Sequence, residues 1–408
     1  MDIIRISLED IKYATDNFSD EKCIGRGAFG KLFKGQLRHA NGHKIIAAKR
    51  LNTMNGEGVR DFFLELKILL KFTHRNVIGL EGYCDEMGEK IIVYEYAPNS
   101  SLDNLLNDAS LTWKKRLEIG IDVASGLDFL HGGVLRREMV LHRDMKSSNI
   151  LLDRNWKAKI ANFGLSLISP NIQDTNYVIE EDPAGAGYID PAYLKTHTIS
   201  KAADIYSFGV VLFEILCGRL AIPTGVDVQD KEQYLGPLAK NFHEKNKLQE
   251  FVFEGIKEQI VPQSLSTFAD IAHKCLHDDW HQRPTASEVV AQLKEAKEFQ
   301  EDCGIWEPKL PSDYKEIIQQ SKIPEICYTK KKEVVYNMLH TGILIQNGNV
   351  WFSLDGNNNR NEMISAKLFT YKNQSSQKWI HKRSSRYNIL HTSSFLNKKS
   401  FLMISPCK

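Results

Sequence analysis

Apolar positions in the first hundred residues follow two different spacings. Between Val59 and Phe72 they recur three to four residues apart, which predicts an amphipathic helix. The run Ile91–Ala97, which is apolar apart from Glu95, instead predicts a buried strand that ends at Pro98. A second strand-like run, I-I-A-A-K-R, ends at Arg50. This part of the chain is therefore predicted to combine strands with a helix.

The pattern changes near residue 300. A helical stretch ends near Phe299, and the prolines of Trp306–Pro311 prevent the helix from continuing, which indicates a domain boundary. Beyond it, His340–Leu354 predicts a β-hairpin with its turn at Asn347-Gly348. The final residues are rich in Ser, Asn and Lys and show no clear period.

Charge divides the chain at about the same place. Residues 1–310 carry 38 basic and 45 acidic side chains, whereas residues 311–408 carry 15 and 6. The basic tail, which includes Lys330–Lys332, could attract an anionic surface or a nucleic acid. A solvated basic face is the simpler interpretation, so we expect no nucleic-acid partner.

The composition indicates a globular cytoplasmic protein. The seven cysteines, scattered from Cys23 to Cys407 without C-x-x-C spacing, are typical of reduced thiols. No apolar run approaches the ~18 residues that a membrane span needs. The start, Met1-Asp2-Ile3, lacks the pattern of a signal peptide.

The first candidate for chemistry is a glycine-rich loop. Residues 24–35 read I-G-R-G-A-F-G-K-L-F-K-G, so the backbone around Gly25, Gly27 and Gly30 can fold closely over a triphosphate and offer its N–H groups. The same spacing can open a dinucleotide-binding unit, but there the last glycine enters a helix. Lys31–Lys34 is instead typical of a returning strand, which favours the kinase version of the loop.

Three further features fit a nucleotide site. Lys49 ends a strand-like run, where its ammonium group could hold the α- and β-phosphates of ATP. Glu65, on the predicted helix, is available to pair with Lys49 and orient it. The strand Ile91–Ala97 suits an adenine-binding hinge that uses the backbone of Glu95 and Ala97.

The strongest motif is the H-R-D-M-K-S-S-N-I-L-L of residues 142–152. Asp144, Lys146 and Asn149 have the spacing of a phosphoryl-transfer loop. In such a loop the aspartate positions the attacking hydroxyl, the lysine neutralises the transferred phosphoryl group and the asparagine holds Mg²⁺. Chance assembly of this motif, in the right order after the glycine loop and Lys49, is a negligible alternative.

With these motifs the sequence resembles the plant receptor-like kinases, relatives of Pelle and the interleukin-1-receptor-associated kinases. The resemblance covers about residues 8–300. It implies an α+β, two-lobed Ser/Thr protein kinase fold with ATP between the lobes. The segments that carry it are Ala14–Phe18, His74–Asn76, Val93–Tyr96, Leu111–Trp113, Ala203–Gly209 and Arg283–Thr285.

The resemblance also implies boundaries and site contacts. Tyr94 would be the gatekeeper beside adenine, and Asp204 would anchor the backbone of the catalytic loop. We expect an N-terminal extension over 1–20, a β-rich small lobe over 21–97, a helical large lobe over 98–300, a linker over 301–335 and a small, incomplete β-rich segment over 336–408. The expected nucleotide-binding residues are Ile24, Gly25, Gly27, Gly30, Leu32, Ala47, Lys49, Glu65, Glu95, Ala97 and Leu151.

Three positions depart from the family pattern. The magnesium-binding D-F-G is here Asn162-Phe163-Gly164, so the expected metal ligands, Asn149 and Asn162, are both neutral. Gly185 stands where the family has a threonine that links the catalytic residues to the substrate-binding segment. Ala192 replaces a glutamate that would pair with Arg283. Unless Arg283 has another partner, the large lobe is weakened.

Three functions remain open at this point. The chain is a Ser/Thr protein kinase that uses ATP and Mg²⁺ with activity reduced by Asn162, or a pseudokinase scaffold in receptor-linked signalling, or a glycan-binding protein regulated by its kinase domain. The third rests on residues 336–387, which resemble the start of a phloem-protein-2-like lectin domain. Such β-sandwiches are much longer than this segment, so glycan binding is not expected.

The resemblance also suggests where the chain acts. Without an ectodomain or a membrane span, it resembles the receptor-like cytoplasmic branch of the family. Its partners would be a protein substrate or a signalling protein. Contact with a receptor kinase, which would bring the chain to the plasma membrane as a peripheral protein, is a hypothesis from the resemblance alone.

Overall fold

The computed structural model of the chain describes residues 5–27, 30–39, 42–54, 56–132, 137–170, 177–178, 187–222 and 233–304, together with five strands between residues 343 and 406. The chain divides into two compact units, Met1–Cys303 and Gly304–Lys408. In the described parts of both units, no helix has the length and apolarity needed to cross a membrane.

The first unit begins with a five-stranded antiparallel sheet. Its strands are β1 (Cys23–Gly27), β2 (Gly30–His39), β3 (Gly42–Leu51), β4 (Leu80–Glu86) and β5 (Glu89–Glu95). They lie in the order β1-β2-β3-β5-β4. The helix α2 (Glu57–Lys71) packs on the sheet through the apolar face that the sequence predicts, with Phe62 and Ile68 fully buried.

A short N-terminal helix belongs to the core of this small lobe. Ser7 caps α1 (Leu8–Ala14) by accepting the backbone N–H of Asp10 at 3.0 Å. Leu8 and Ile11 are buried in one hydrophobic cluster with residues of the sheet, among them Ile46, Ala48, Ile91 and Val93. The segment predicted as an extension, residues 1–20, therefore contributes apolar side chains to the lobe.

Helices dominate the rest of the first unit. They are α3 (Trp113–Leu130), α4 (Pro191–Thr196), α5 (Lys201–Cys217), α6 (Leu235–Glu244), α7 (Leu248–Phe251), α8 (Glu254–Lys257), α9 (Pro262–Cys275) and α10 (Ala286–Gly304). Because α5 is apolar on almost every side, its residues from Asp204 to Cys217 are buried in the lobe, apart from Ser207. A sheet lobe followed by a helical lobe confirms the predicted α+β, two-lobed fold.

Short pairs of antiparallel strands lie in the segments between these helices. The pairs are β6 (Glu138–Leu141) with β9 (Leu167–Pro170), β7 (Ile150–Leu152) with β8 (Ala158–Ile160), and β10 (Tyr177–Val178) with β11 (Thr198–Ile199). The ribbon β7–β8 follows the predicted catalytic loop directly, so this loop is held between paired strands.

A buried arginine links the first segment of the large lobe to helix α5 by hydrogen bonds. Arg116 on α3 donates hydrogen bonds to the backbone oxygens of Leu106, Asp108, Leu111 and Ile215 at 2.7 to 3.0 Å. Burial lowers its pKa to about 10. The guanidinium group thus fixes the segment after the hinge against α5, a role that no sequence pattern indicated.

Beyond Gly304, the described residues of the second unit all lie in β-strands. Its strands are β12 (Ile343–Gln346), β13 (Asn349–Phe352), β14 (Lys378–Arg383), β15 (Tyr387–Ser393) and β16 (Ser400–Pro406). β12 pairs antiparallel with β13 where the sequence predicts a hairpin, and β14, β15 and β16 form an antiparallel sheet. The turn at residues 347–348 and most of the predicted linker, from residue 305 onward, lie outside the described residues.

Candidate active site

The predicted phosphate-binding loop runs along the first two strands. Gly25 lies opposite Leu32, and Gly27 lies opposite Gly30, in the β1–β2 pairing. Gly30 has a φ of 139°, and a Cβ there would lie 2.2 Å from the backbone oxygen of Arg50. Only glycine fits this position, so β2 can begin close to β3. Residues 28–29, at the tip of the loop, lie outside the described residues.

Lys49 and Glu65 form an ion pair next to this loop. The Nζ of Lys49 lies 2.8 Å from Oε2 of Glu65 and donates a second hydrogen bond to Oδ1 of Asn162 at 3.0 Å. The Glu65 side chain is fully buried, and its Oε1 accepts the backbone N–H of Phe163 at 3.2 Å. The predicted pairing is therefore present, and it fixes the lysine beside the N-F-G segment.

The residues expected around adenine come from both lobes. Ala47 is buried and lies opposite Tyr94 in the β3–β5 pairing. Burial raises the pKa of the Tyr94 hydroxyl well above its ordinary value. The Glu95 carboxylate contacts Nζ of Lys159 at 2.8 Å and accepts the N–H of Gly79 at 2.7 Å, so it braces the hinge. The other predicted contacts, all partly exposed, are Ile24, Leu32, Ala97 and Leu151.

The predicted catalytic loop brings its three candidate residues together. Nζ of Lys146 lies 3.0 Å from Oδ1 of Asp144. Nδ2 of Asn149 donates to the backbone oxygen and to Oδ2 of Asp144, at 2.7 and 2.8 Å. The amide of Asn162 donates to Oδ2 of Asp144 at 3.1 Å. A continuous polar network therefore joins the catalytic loop to Asn162 and, through it, to Lys49.

Buried groups hold the backbone of this loop in an uncommon conformation. Arg143 has a φ of 69°, which costs free energy in a residue other than glycine. The Asp204 carboxylate accepts the backbone N–H groups of His142 and Arg143, both at 2.8 Å. These bonds agree with the anchoring role that the resemblance implies.

A histidine far away in the sequence supports this anchor. Nε2 of His131 lies 3.0 Å from Oδ2 of Asp204, across 73 residues of sequence. Burial raises the pKa of Asp204, but the His131 hydrogen bond and other interactions outweigh it, so the pKa lies below its ordinary value. Burial also lowers the pKa of His142, whose neutral ring accepts the N–H of Asp144 at 3.2 Å. No spacing in the sequence indicated His131.

Arg283 has a partner other than the one the family uses. Its Nη1 and Nη2 bind Oδ2 and Oδ1 of Asp190 at 2.5 and 2.7 Å, and its remaining contacts include the backbone oxygens of Ala202 and His277. Asp190 precedes Ala192 by two residues and supplies the carboxylate that Ala192 lacks. The weakening expected for an Arg283 without another partner therefore does not apply.

A second contact involves the segment that the resemblance assigns to substrate binding. The Tyr188 hydroxyl donates to Oε1 of Glu214 at 2.5 Å and lies 3.4 Å from Oγ of Ser147 in the catalytic loop. Ser207 donates to the backbone oxygen of Tyr188 at 2.8 Å. Burial raises the pKa of Glu214 to about 7. The sequence did not indicate this contact, and Gly185 lies outside the described residues.

Glu214 is expected to make the stability of the first unit depend on pH. Because the folded chain binds this proton more tightly than the unfolded chain, the contribution is complete below the unfolded pKa of ~4.3 and is lost as the pH rises through the folded pKa. We expect the free energy of unfolding to fall by about 2 kcal/mol between about pH 5 and pH 7 through this group. Denaturant unfolding across this pH range measures the fall.

The variant Glu214→Gln separates this effect from other titrations. Glutamine keeps the size of the side chain and an oxygen for Tyr188, but it does not titrate in this range. Its stability should therefore fall less between about pH 5 and pH 7 than that of the natural chain. Equal slopes for the two proteins would contradict the assignment.

The residues present fit ATP better than they fit magnesium. Lys49 is oriented by Glu65, and it lies opposite Leu32 in the β2–β3 pairing, with β2 between it and the glycines of β1. Magnesium, when bound in such sites, offsets the phosphate charge. The candidate ligands here are Oδ1 of Asn149 and of Asn162, both neutral, and they already accept hydrogen bonds from Asn162 and Lys49 at 3.3 and 3.0 Å. This set matches poorly the oxygen ligands that Mg²⁺ prefers.

A sheet lobe with an ion-paired lysine, followed by a helical lobe with an H-R-D loop, defines the protein kinase class. The model of the protein tyrosine and serine/threonine kinase family matches residues 18–293, so the chain belongs to this family.

Its relatives include receptor-like protein kinases of Arabidopsis thaliana. ANXUR2 is 39% identical over 313 residues, which are 76% of this chain and 35% of the relative. HERK 1 is 40% identical over 309 residues, 75% of this chain and 36% of the relative. FERONIA is 38% identical over 301 residues, 73% of this chain and 33% of the relative. The chain thus spans about a third of the length of these curated relatives.

Proposed function

We propose that the chain binds ATP and transfers its γ-phosphate slowly to serine or threonine in protein substrates. The observation that carries this proposal is the polar network in which Lys49 contacts both Glu65 and Asn162, and Asn162 contacts Asp144. The groups that act on the substrate and phosphates are together, but an amide stands where the family has a carboxylate. Transfer is therefore weakened rather than removed.

Each side chain has a defined task in this proposal. Asp144 positions the substrate hydroxyl and accepts its proton, and Lys146 neutralises the phosphoryl group in transfer. Lys49 binds the α- and β-phosphates. Asn149 and Asn162 are the candidate metal ligands. The loop of Gly25, Gly27 and Gly30 covers the phosphates, and adenine packs among Ile24, Leu32, Ala47 and Leu151 and bonds to the backbone of Glu95 and Ala97.

The amide at Asn162 also favours a second candidate function. In a pseudokinase scaffold the same site would bind ATP, and the chain would signal through its conformation or a docked partner. The two functions share the nucleotide site and differ only in phosphoryl transfer. An ATP-binding measurement therefore tests what they share, and a transfer assay separates them.

Replacing Lys49 with methionine is expected to lower the affinity for ATP. A hydrogen bond to a charged group contributes about 1.5 to 3 kcal/mol, so the dissociation constant should rise roughly 10- to 100-fold. Isothermal titration of the full chain with ATP measures this change. Lys67→Met is the matched control, because Lys67 is exposed on the same helix as Glu65. An unchanged affinity in Lys49→Met would contradict the proposed site.

We further propose that the chain acts in receptor-linked signalling in plants, as a member of the receptor-like cytoplasmic branch of the Pelle group. In this proposal a receptor partner holds it at the cytoplasmic side of the plasma membrane. The names of its relatives support a link to receptors. Cell fractionation with and without a candidate receptor tests this. A chain that stays soluble in both would count against it.

A lectin-like role for residues 336–408 is the weaker alternative. Its support is the resemblance of residues 336–387 to the start of a phloem-protein-2-like domain. Binding of the full chain to a glycan array would favour this role. If the chain bound no glycan on the array, the kinase-fold unit would remain as the functional part.

A further inference from the structure

The three neighbours of the Asn162 amide dictate its orientation. Its Oδ1 accepts a hydrogen bond from the Lys49 ammonium group at 3.0 Å. Its Nδ2 donates to Oδ2 of Asp144 at 3.1 Å and to Oδ1 of Asn149 at 3.3 Å. In the opposite orientation the NH₂ group would face an ammonium group, and the oxygen would face two acceptors. Only the observed orientation satisfies all three contacts.

The backbone holds this side chain in place. Asn162 has a φ of 70°, a left-handed conformation that asparagine tolerates better than most residues. The next residue, Phe163, is fully buried, and its N–H donates to Glu65 at 3.2 Å. Its ring also packs edge-on against His142, with 5.1 Å between the ring centroids. The amide therefore has little room to move away from its neighbours.

An amide and a carboxylate differ here in their number of oxygens. An aspartate at this position could accept the Lys49 hydrogen bond with one oxygen and offer the other to a metal ion. Asn162 has a single oxygen, and this oxygen already accepts the hydrogen bond from the Lys49 ammonium group. A metal ion on the same oxygen would have to share it with Lys49 and would meet the positive charge of the ammonium group, so the contact with Lys49 disfavours metal binding by Asn162.

The charges of the network also balance without a metal ion. Among the described side chains joined by these contacts there are two carboxylates, Glu65 and Asp144, and two ammonium groups, Lys49 and Lys146. An aspartate at position 162 would add a negative charge beside the phosphates. Metal-free ATP would then meet repulsion that the natural chain avoids.

We propose that this chain binds ATP with little dependence on a divalent cation, because the Asn162 amide bridges Lys49 to Asp144 and Asn149 where its relatives would need the metal. The inference rests on the ATP site proposed above. It follows that the chain binds metal-free ATP as well as the magnesium complex of ATP.

Isothermal titration with ATP, in excess magnesium chloride and in EDTA, tests this proposal on the full chain. The quantity of interest is the ratio of the two dissociation constants. We expect a ratio below about threefold for the natural chain and above about tenfold for Asn162→Asp, which needs the metal to offset its added charge. Asn155→Asp is the matched control, because Asn155 is exposed and the substitution adds the same charge.

The outcomes separate this proposal from the one on which it rests. A natural chain that binds ATP but loses affinity in EDTA as strongly as Asn162→Asp does would overturn the inference and leave the ATP site intact. A natural chain that binds no ATP in either solution, with a normal unfolding transition, would overturn the ATP site and the inference with it. Low ratios for the natural chain and Asn155→Asp, with a high ratio for Asn162→Asp, would support both.

Discussion

The variant Asn162→Asp is expected to transfer phosphate roughly a thousandfold faster than the natural chain, which corresponds to ~4 kcal/mol in the barrier. The carboxylate can keep the contact with Lys49 through one oxygen and use the other to offset divalent charge. The remaining groups need no change, because Lys146 and Asn149 are each already within hydrogen-bonding distance of Asp144. Transfer of labelled γ-phosphate from ATP to a generic basic protein measures the rate.

The variant Asp144→Ala is the control for this experiment. It removes the group that is proposed to position the hydroxyl, so it should abolish any transfer that the chain itself performs. If the natural chain and Asn162→Asp were equally active, the amide would not limit the enzyme and the proposal of reduced activity would fail. If only Asn162→Asp transferred phosphate, the natural chain would be a pseudokinase with an otherwise sound site.

The variant Asp190→Ala is expected to destabilise the first unit by about 3 to 5 kcal/mol, because it leaves the Arg283 guanidinium buried without a carboxylate. The Arg283 side chain is only 1% exposed and that of Asp190 is 5% exposed. Asp190 also caps α4 by accepting the N–H of Ala192 at 2.9 Å, and loss of a cap costs about 1 kcal/mol more. Urea unfolding followed by circular dichroism measures the change.

The variant Ala192→Glu is the informative comparison. It restores the residue that the family has at this position, yet Arg283 already binds Asp190 and two backbone oxygens. We expect its free energy of unfolding to stay within about 1 kcal/mol of the natural chain. A gain of several kcal/mol would show that Arg283 lacks a sufficient partner.

Local spacing made much of the site predictable. The glycine loop, Lys49 with Glu65, and the H-R-D loop are short motifs whose residues act close to where they stand in the chain. Strand ends and loop turns then fix their geometry. The same logic predicted the helix over Val59–Phe72, which the structure places at Glu57–Lys71. It also revealed that Asn162 departs from the family.

The sequence did not predict several contacts between residues that lie far apart in the chain. Arg283 and Asp190 are 93 residues apart, and Tyr188 and Glu214 are 26 apart. A polar residue in a long apolar helix such as α5 gives no sign of which partner it meets. The packing of α1 on the sheet could not be predicted either, because the few apolar residues of so short a helix could pack against many surfaces equally well.

By itself, the sequence determined the class of fold, the order of its parts and the candidate residues of a nucleotide site, because these depend on local periodicity and on motifs with fixed spacing. Only the tertiary structure decided that Arg283 keeps a carboxylate partner and that the one oxygen of Asn162 is held by Lys49. The physical reason is that a buried or partly buried charge or amide pairs with whichever group the fold brings within about 3 Å, however far apart the two lie in the chain.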